Sequence, residues 1–387
     1  MGYDVTCVIP RWGRTFTNAM EKFAALAAEK EQIAAVIQIV GQGKDLASAD
    51  PGVVKARLDQ FQSPFVSIAP DRKRSDRWYR IGFLGMDLTI GDIVLRVEGD
   101  EPHNGSSLIK LDEVDLTIVG LDELLALNQL YLHEPAKVTK WGLYNYNLIK
   151  GADLRIAGSA NLMAPNKVVG KKITDFVGFF LITNRKHPDL TLNFEKLLKN
   201  QIPVYVKGRY RELVQKLLPG LNSLPVENVE DAVAANKGAA GIEIIQTGST
   251  IKSKGLQVYG APLFLSESLY VADYRRYMRN PKLQRLLEIL NPLGYFEPER
   301  IEHYVDWYAA LEINLGDAWI NKPKPGQLFC SFAEMENGLR PYRLQTRKWA
   351  PSDQYKIAEA ESLVKESLRL IEEEYEKKRP GNHHGRI

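Results

Sequence analysis

Short apolar runs alternate with amphipathic stretches through the first hundred residues of the chain. Val5–Ile9 is an apolar run of strand length, and a polar, glycine-containing turn separates it from a predicted helix at Asn18–Lys30. A second apolar run, Ile33–Val40, predicts another strand. Ile81–Val97 predicts a β-hairpin, because two apolar runs flank a Gly-Asp turn. This alternation of strand and helix patterns is typical of α/β proteins.

The alternation continues through the middle of the chain. An apolar run at Val114–Val119 is followed by a glycine turn and a predicted helix at Glu123–Leu132, which is the building unit of a doubly wound sheet. Phe176–Thr183 predicts a buried strand. The later predicted strands are Ile202–Val206, Ile242–Ile245, Leu256–Leu265 and Leu269–Asp273. The later predicted helices are Arg209–Leu218 and Pro281–Leu290, and Val226–Ala235 is predicted to be a strand end followed by a helix.

A chain of 387 residues is long enough for two or three domains. We predict a discontinuous α/β domain from residues 1–133 and 247–292, and a second α/β domain from residues 134–246. Residues 293–387 form a predicted C-terminal extension, α/β or mostly helical, that ends in a long helix at Ser352–Lys378. The near-heptad spacing of its apolar residues fits packing on its own domain and also fits a dimer seam. We expect a homo-oligomer, a dimer or larger.

Composition and charge exclude several classes of protein. Hydrophobic residues make up 44% of the chain and charged residues 26%, as in ordinary globular proteins. A net charge of +3 argues against a large nucleic-acid or membrane surface, and no stretch approaches the ~18 apolar residues of a membrane span. Cys7 and Cys330 are too few for a disulfide framework or a zinc cluster. Without a signal-peptide pattern, the chain is predicted to be cytoplasmic, with no nucleic-acid or membrane partner.

One turn carries the clearest chemical signal in the sequence. A predicted buried strand leads through Glu243 into the turn Thr247-Gly248-Ser249-Thr250. Gly248 lets the backbone approach an anion closely, successive N–H groups can point into one concavity, and the hydroxyl groups add donors. The Glu243 carboxylate could accept hydrogen bonds from ribose hydroxyls or hold Mg²⁺. The alternative is an ordinary turn at the end of a strand, with hydroxyls bonded locally.

The wider sequence around this turn resembles a known signature. Residues 243–256 are E-I-I-Q-T-G-S-T-I-K-S-K-G-L, which resembles the phosphoribosyl-pyrophosphate signature of the ATP phosphoribosyltransferase family of histidine biosynthesis, D-[LI]-V-x-[TS]-G-x-T-L-x-x-N-G-L. Glu243 replaces the usual Asp, and Lys254 replaces the usual Asn. The resemblance implies that Glu243 and residues 247–250 bind phosphoribosyl pyrophosphate, the donor of the phosphoribosyl group. It also implies a type II periplasmic-binding-protein-like fold, with two doubly wound α/β domains around a cleft.

Two further segments resemble the same family. Residues 9–14, I-P-R-W-G-R, resemble its first-strand signature, which implies that Arg11, Gly13 and Arg14 contact the acceptor or pyrophosphate and that Arg14 is catalytic. Residues 114–122 resemble the strand and turn D-L-G-I-V-G-[LK]-D, which implies the same contact for Asp122. Asp122 also fits a helix N-cap, and both roles could hold at once.

A third segment is recognisable but incomplete. Residues 200–210 resemble a family strand and helix without its Tyr-Pro pair, and Lys207 lies in a basic turn at a helix start that would suit an anion. The departures are larger just before the turn Thr247–Thr250, here called the phosphate loop. Glu230 matches a family Glu, but Ala239 stands where the family has Asp. The donor side is therefore expected to be kept and the acceptor side to be altered.

The resemblance implies a phosphoribosyltransferase. Such an enzyme transfers the phosphoribosyl group of phosphoribosyl pyrophosphate to a nucleotide-like or other nitrogen-containing heterocyclic acceptor, releases pyrophosphate and uses Mg²⁺. Arg14 and Glu243 are the expected catalytic residues. The alternative is a catalytically altered regulatory or small-molecule-binding protein with the same cleft fold, and the departures before the phosphate loop favour it.

Overall fold

The structure is a computed structural model. It describes residues 2–42, 63–70, 79–100, 114–130, 154–187, 189–294, 296–339, 343–344 and 357–378, with residues 50, 52 and 56. The chain divides into two compact units, and the chain passes between them more than once. Unit 1 comprises residues 1–123, 145–162 and 268–292, and unit 2 comprises residues 124–144, 163–267 and 293–387.

Unit 1 is built on a sheet in which the central strands are parallel. Its strands are β1 (Val5–Pro10), β2 (Val66–Pro70), β3 (Tyr79–Phe83), β4 (Gly85–Ile90), β5 (Ile93–Asp100), β6 (Leu116–Gly120), β7 (Leu154–Ser159) and, much later, β16 (Ser268–Asp273). The sheet order is β4-β5-β1-β6-β16-β7, while β2 and β3 pair separately. β1 is parallel to β5 and β6, whereas β16 is antiparallel to its neighbours β6 and β7. The predicted hairpin is confirmed as β4–β5.

The helices that begin in unit 1 are α1 (Gly13–Ala24), α2 (Lys30–Gln42), α3 (Leu121–Leu130), α8 (Tyr274–Arg279) and α9 (Pro281–Leu290). The strand predicted at Ile33–Val40 is wrong, because this segment lies within α2. Ile33, Val36 and Val40 are buried while the residues between them are more exposed, which is helical spacing. The predicted helix at Asn18–Lys30 in fact begins at Gly13 and ends at Ala24.

The central strands of the unit 2 sheet follow the same order as those of unit 1. Its strands are β8 (Met163–Asn166), β9 (Lys171–Thr174), β10 (Val177–Asn184), β11 (Val204–Lys207), β12 (Ser223–Val226), β13 (Ala240–Ile245), β14 (Leu256–Tyr259), β15 (Leu265–Ser266) and β17 (Trp319–Ile320). The main order is β12-β11-β13-β10-β14-β17. β11 is parallel to β12 and β13, and β10 is antiparallel to β13 and β14.

Helices connect these strands. They are α4 (Phe194–Asn200), α5 (Arg211–Leu217), α6 (Val229–Ala235), α7 (Ser249–Ser253), α10 (Pro298–Leu315), α11 (Pro325–Leu339) and α12 (Ile357–Lys378), with 3₁₀ turns at Gly208–Tyr210 and Gly316–Ala318. In each unit the parallel strands follow the spatial order second, first, third, fourth, with one antiparallel strand between the third and fourth. That strand is β16 in unit 1 and β10 in unit 2. The fold is therefore two doubly wound α/β units of the type II periplasmic-binding-protein-like class, each completed by a strand that follows a crossing between the units.

The limits of the units differ from the predicted domain limits. β7 pairs with β16, so residues 154–162 belong to unit 1. β14 pairs with β10, so residues 247–267, including the Thr-Gly-Ser-Thr turn, belong to unit 2. Sequence periodicity cannot show which strands pair, and pairing decides which unit a segment joins.

The described part of the chain after Pro292 is mostly helical and belongs to unit 2. β17 extends the sheet by pairing with β14. α10 and α11 bury an aromatic cluster against the start of β10: Phe176, Tyr304, Trp307, Phe329 and Phe332. Tyr375 of α12 packs on Tyr308 of α10, so the described part of the last helix packs within its own unit. Residues 352–356 and the tail 379–387 lie outside the described residues.

A buried ionic cluster joins this region to the rest of unit 2. Arg300 of α10 is 3% exposed and pairs with Glu267, which is also 3% exposed. Glu336 of α11 lies 4.0 Å from Arg300 and also pairs with Arg343. Burial lowers the pKa of Arg300 to about 9, and the Glu336 carboxylate opposes this shift. The guanidinium therefore neutralises carboxylates that water does not reach.

We expect Arg300→Met to lower the free energy of unfolding by about 3–5 kcal/mol, because Glu267 and Glu336 would keep their buried charge without this partner. Urea unfolding monitored by circular dichroism measures the change. Arg285→Met is the matched control, since Arg285 pairs with Asp92 at the surface. It should leave the unfolding midpoint near the wild-type value. Equal destabilisation by the two substitutions would contradict a special role for the buried cluster.

Candidate functional site

The turn Thr247–Thr250, predicted to be a phosphate loop, and Lys207 lie at one edge of the unit 2 sheet. β11 ends at Lys207 and its parallel neighbour β13 ends at Ile245. From β11 the chain goes first to β12 on one side and then to β13 on the other, so the strand order reverses between β11 and β13. In open α/β sheets, ligands bind outside the carboxyl ends of the strands at such a reversal. The fold therefore brings these two predicted elements to the position where a ligand is expected.

Glu243 is the most perturbed acid at this edge. It lies on β13, and its Oε1 accepts a hydrogen bond of 2.9 Å from the N–H of Ile244. The pKa of Glu243 is raised to about 7, mainly by burial and in part by the nearby Glu230 carboxylate. The Lys207 and Arg209 side chains oppose this rise by favouring the charged form. Glu243 therefore changes its charge near neutral pH, within electrostatic reach of two cations.

A second acid and a lysine extend the same edge. Glu230 lies in the first turn of α6, and burial raises its pKa while Lys254 opposes the rise. The Lys254 Nζ lies 2.5 Å from Asp231 Oδ1 and 3.9 Å from Glu230 Oε2. Lys254 is one of the two departures from the family signature. Here it neutralises the acidic start of α6 instead of offering the amide of the family Asn.

The turn at residues 247–250 has the backbone geometry of an anion-binding turn. Gly248 has a φ of +73°, in the left-handed region, and the helical residues of α7 follow it. A left-handed residue followed by right-handed ones directs successive N–H groups into one concavity. The Thr247 Oγ1 and Ser249 Oγ lie 3.1 Å apart, while the side chains of Ser249 and Thr250 are exposed. The Thr247 and Ser249 hydroxyls thus bond each other, and the exposed side chains of Ser249 and Thr250 can reach a ligand.

Two residues that contact this turn could not be recognised from the sequence. Asn314 and Leu315 end α10, more than sixty positions along the chain. The Asn314 amide donates to the Thr247 carbonyl oxygen and lies 3.5 Å from Ser249 Oγ. A Cβ on Gly248 would lie 2.5 Å from Leu315 Cδ2, so a side chain there would collide with Leu315. No family signature covers this region, and only the fold brings it to the loop.

The remaining predicted residues gather at the equivalent edge of unit 1. β1 ends at Pro10 and its parallel neighbour β6 ends at Gly120, and the strand order reverses between them. Gly13, with a φ of +83°, opens α1, and Arg14 beside it is exposed. The Arg11 guanidinium lies over the Trp12 ring, 4.3 Å from its centroid. Two arginines at the carboxyl edge of a sheet suit an anionic ligand.

Asp122 is also at this edge but is 8% exposed. α3 begins at Leu121, so Asp122 lies in the first helical turn and not at the N-cap. A Cβ on Gly120 would collide with Asp122 Oδ1, so the carboxylate packs directly on the glycine turn. A carboxylate in a first turn is stabilised by the helix dipole. This position supports a structural role for Asp122.

The described residues contain no group of three or more His, Cys, Asp or Glu side chains that could hold a metal ion. Mg²⁺ is often bound by one or two carboxylates together with the phosphates of a substrate. Glu243 fits this way of binding Mg²⁺, and Glu230 is close enough to affect the pKa of Glu243.

Several solved structures resemble this chain in fold. No protein-family model matches the chain. No curated protein matches it. The ATP phosphoribosyltransferase complex HisG:HisZ of Thermotoga maritima is similar in structure, with 13% identity and a TM-score of 0.34, over 74% of this chain and 99% of that one.

Two binding proteins show likeness of the same order. The periplasmic aliphatic sulphonate binding protein SsuA of Escherichia coli has 10% identity and a TM-score of 0.35, over 98% of this chain and 97% of that one. The spermidine/putrescine transporter substrate-binding protein PotD of Streptococcus pneumoniae has 13% identity and a TM-score of 0.28, over 72% and 91%. At these values no activity follows from the likeness.

Glu243 should make stability depend on pH. Between pH 4.5 and about 7 the folded protein keeps a proton on Glu243 that the unfolded chain has released, so this group's contribution to stability is lost as pH rises through that window. We expect Glu243→Gln to reduce the fall in unfolding free energy across this window, measured by urea unfolding at a series of pH values. Glu195→Gln, on the exposed start of α4, is the control. An unchanged pH slope in Glu243→Gln would show that Glu243 titrates normally.

Gly248 should be more sensitive to substitution than its neighbour Gly255. Both have positive φ, at +73° and +62°, so alanine costs about 1–2 kcal/mol of backbone strain at either. Only Gly248 lies against Leu315, and overpacking adds about 1–3 kcal/mol. Thermal unfolding of Gly248→Ala and Gly255→Ala measures the difference. Equal losses of stability would mean that Leu315 does not hold the loop.

Proposed function

We propose that the protein binds phosphoribosyl pyrophosphate at the carboxyl edge of the unit 2 sheet and is a phosphoribosyltransferase. The observation that supports this most strongly is the position of Glu243, an acid that titrates near neutral pH, on the strand that leads into a left-handed hydroxyl-rich turn. A carboxylate is a strong acceptor for ribose hydroxyls, and converging N–H and O–H donors bind a 5′-phosphate. Both are present within eight residues of the sequence.

Different residues at this edge bind different parts of the donor. The turn N–H groups and the hydroxyls of Thr247, Ser249 and Thr250 bind the 5′-phosphate. Ionised Glu243 accepts hydrogen bonds from the ribose hydroxyls. Lys207 supplies positive charge for the pyrophosphate. Glu243 is the residue that would hold Mg²⁺, which would neutralise part of the same negative charge.

The reaction is displacement of pyrophosphate at the anomeric carbon by a ring nitrogen of the acceptor. Its transition state resembles an oxocarbenium ion, so no protein nucleophile is required. The residues act by orienting the donor and by stabilising the charge that develops on the leaving pyrophosphate. Because an ionised carboxylate accepts hydrogen bonds more strongly than the protonated acid, donor affinity should rise as the pH passes through about 7.

The roles given to Arg11, Gly13, Arg14 and Asp122, in binding the acceptor or pyrophosphate, are part of the same proposal. They rest on the family resemblance and, for the arginines, on exposed or partly exposed positions at the carboxyl edge of the unit 1 sheet. A cytoplasmic, homo-oligomeric enzyme without nucleic-acid or membrane partners completes the proposal. In the described parts of the chain, no helix has both the length and the apolar character needed to cross a bilayer.

A second candidate is a regulatory or small-molecule-binding protein that keeps the donor site without turnover. Two observations favour it. Ala239, at the position of the family Asp, is 1% exposed, so a buried methyl group stands in place of a carboxylate. Lys254, at the position of the family Asn, is committed to Asp231.

Calorimetric titration with phosphoribosyl pyrophosphate and Mg²⁺, followed by a pyrophosphate-release assay with a panel of nucleotides and heterocycles, separates these candidates. Binding with release supports the transferase, and binding without release supports the second candidate. Absence of binding contradicts both.

Thr250→Ala should weaken donor binding by about ten- to a hundredfold, the value of one charge-assisted hydrogen bond. Ser253→Ala is the matched control on the same short helix, because its hydroxyl bonds the Thr250 carbonyl at 3.0 Å and not the proposed ligand. Calorimetry compares the two variants with the wild type. Equal donor affinity in Thr250→Ala and the wild type would remove this hydroxyl from the site.

A further inference from the structure

The C-terminal region reaches the phosphate loop through the last residues of α10. The Asn314 side chain donates from Nδ2 to the Thr247 carbonyl oxygen and lies 3.5 Å from Ser249 Oγ. Leu315, 2% exposed, fills the space beside the Gly248 Cα. These contacts cover the side of the turn that faces α10, while the Ser249 and Thr250 side chains remain exposed.

The bond to the Thr247 carbonyl has a directional consequence. In a planar trans peptide the C=O and the following N–H point in opposite directions. The carbonyl of Thr247 points at Asn314, so the N–H of Gly248 points away from α10. That N–H is the first of the series that the left-handed Gly248 directs into the concavity. One side-chain amide therefore sets the direction of the donors that follow it.

The end of α10 is itself held in place. Glu312, one turn from the end of the helix, pairs with Lys322 and accepts a 2.8 Å hydrogen bond from the Tyr375 hydroxyl of α12. Trp319, just after the helix, donates to the Gly260 carbonyl oxygen at 2.9 Å, next to β14. Contacts with α12, with Lys322 and with Gly260 thus fix the end of α10, which carries Asn314.

We propose that Asn314 is a positioning residue of the phosphate loop, so that the region after Pro292 forms part of the donor site. The inference rests on the proposed function and adds a residue and a chain segment that the family resemblance does not reach. Asn314 does not contact the reacting atoms. It acts through the Thr247–Gly248 peptide by keeping the anion-binding N–H groups in one orientation before the donor arrives.

The test compares Asn314→Ala with Ile313→Ala. Ile313 is the neighbouring residue, is 44% exposed and takes the same substitution, so it controls for truncation at this point of α10. Alanine is a strong helix former, so both variants should keep the helix. We expect Asn314→Ala to raise the KM for phosphoribosyl pyrophosphate, and its Kd by calorimetry, on the order of tenfold with little change in kcat. Ile313→Ala should match the wild type.

Hydrogen exchange of the unliganded protein gives a readout that needs no donor. Peptides covering residues 246–253 should exchange faster in Asn314→Ala than in Ile313→Ala or the wild type, while peptides from β13 should not change. Unchanged exchange in Asn314→Ala overturns the inference. If the wild type binds the donor, equal donor affinity in Asn314→Ala and the wild type also overturns it. A wild type that does not bind phosphoribosyl pyrophosphate overturns the proposed function instead, and the exchange comparison still decides the role of Asn314 in ordering the loop.

Discussion

The parallel pairing of β11 with β13 is the constraint on which the candidate site depends. It places the end of β11, with Lys207, beside the end of β13, and the chain turns there into residues 246–250. The same pairing draws Glu243 into a partly buried position near Glu230, and burial above all raises its pKa, while Lys207 and Arg209 oppose the rise. Antiparallel pairing of these two strands would send Lys207 to the opposite edge of the sheet. The site is therefore a consequence of topology as much as of motif.

Much of this could be predicted from the sequence because it is local. Apolar runs next to polar or glycine-containing turns correctly indicated β1, β6, β10 and β13, and the signature at residues 243–256 placed the turn at the end of a strand. The segment Ile33–Val40 shows the limit of such patterns. Its apolar residues are nearly continuous, so periodicity does not distinguish a buried strand from a helix, and only packing against α1 and β3 selects the helix.

Other features could not be predicted because they depend on contacts between distant parts of the chain. β14 and β16 belong to different units although fewer than twenty residues separate the starts of the two strands, and their pairing with β10 and β6 decides this. Asn314 lies in a region without a recognised motif, so its contact with Thr247 appears only in the fold. The sequence also does not show that aromatic residues after Pro292 pack α10 and α11 on the unit 2 sheet.

The most direct test of the proposed donor site is hydrogen exchange measured by mass spectrometry with and without saturating phosphoribosyl pyrophosphate and Mg²⁺. We predict protection on ligand addition in peptides that contain residues 205–210 and 243–252, the two segments at the carboxyl edge of the unit 2 sheet. Protection that leaves both segments unchanged, or no protection anywhere in the chain, would contradict the claim that this edge binds the donor.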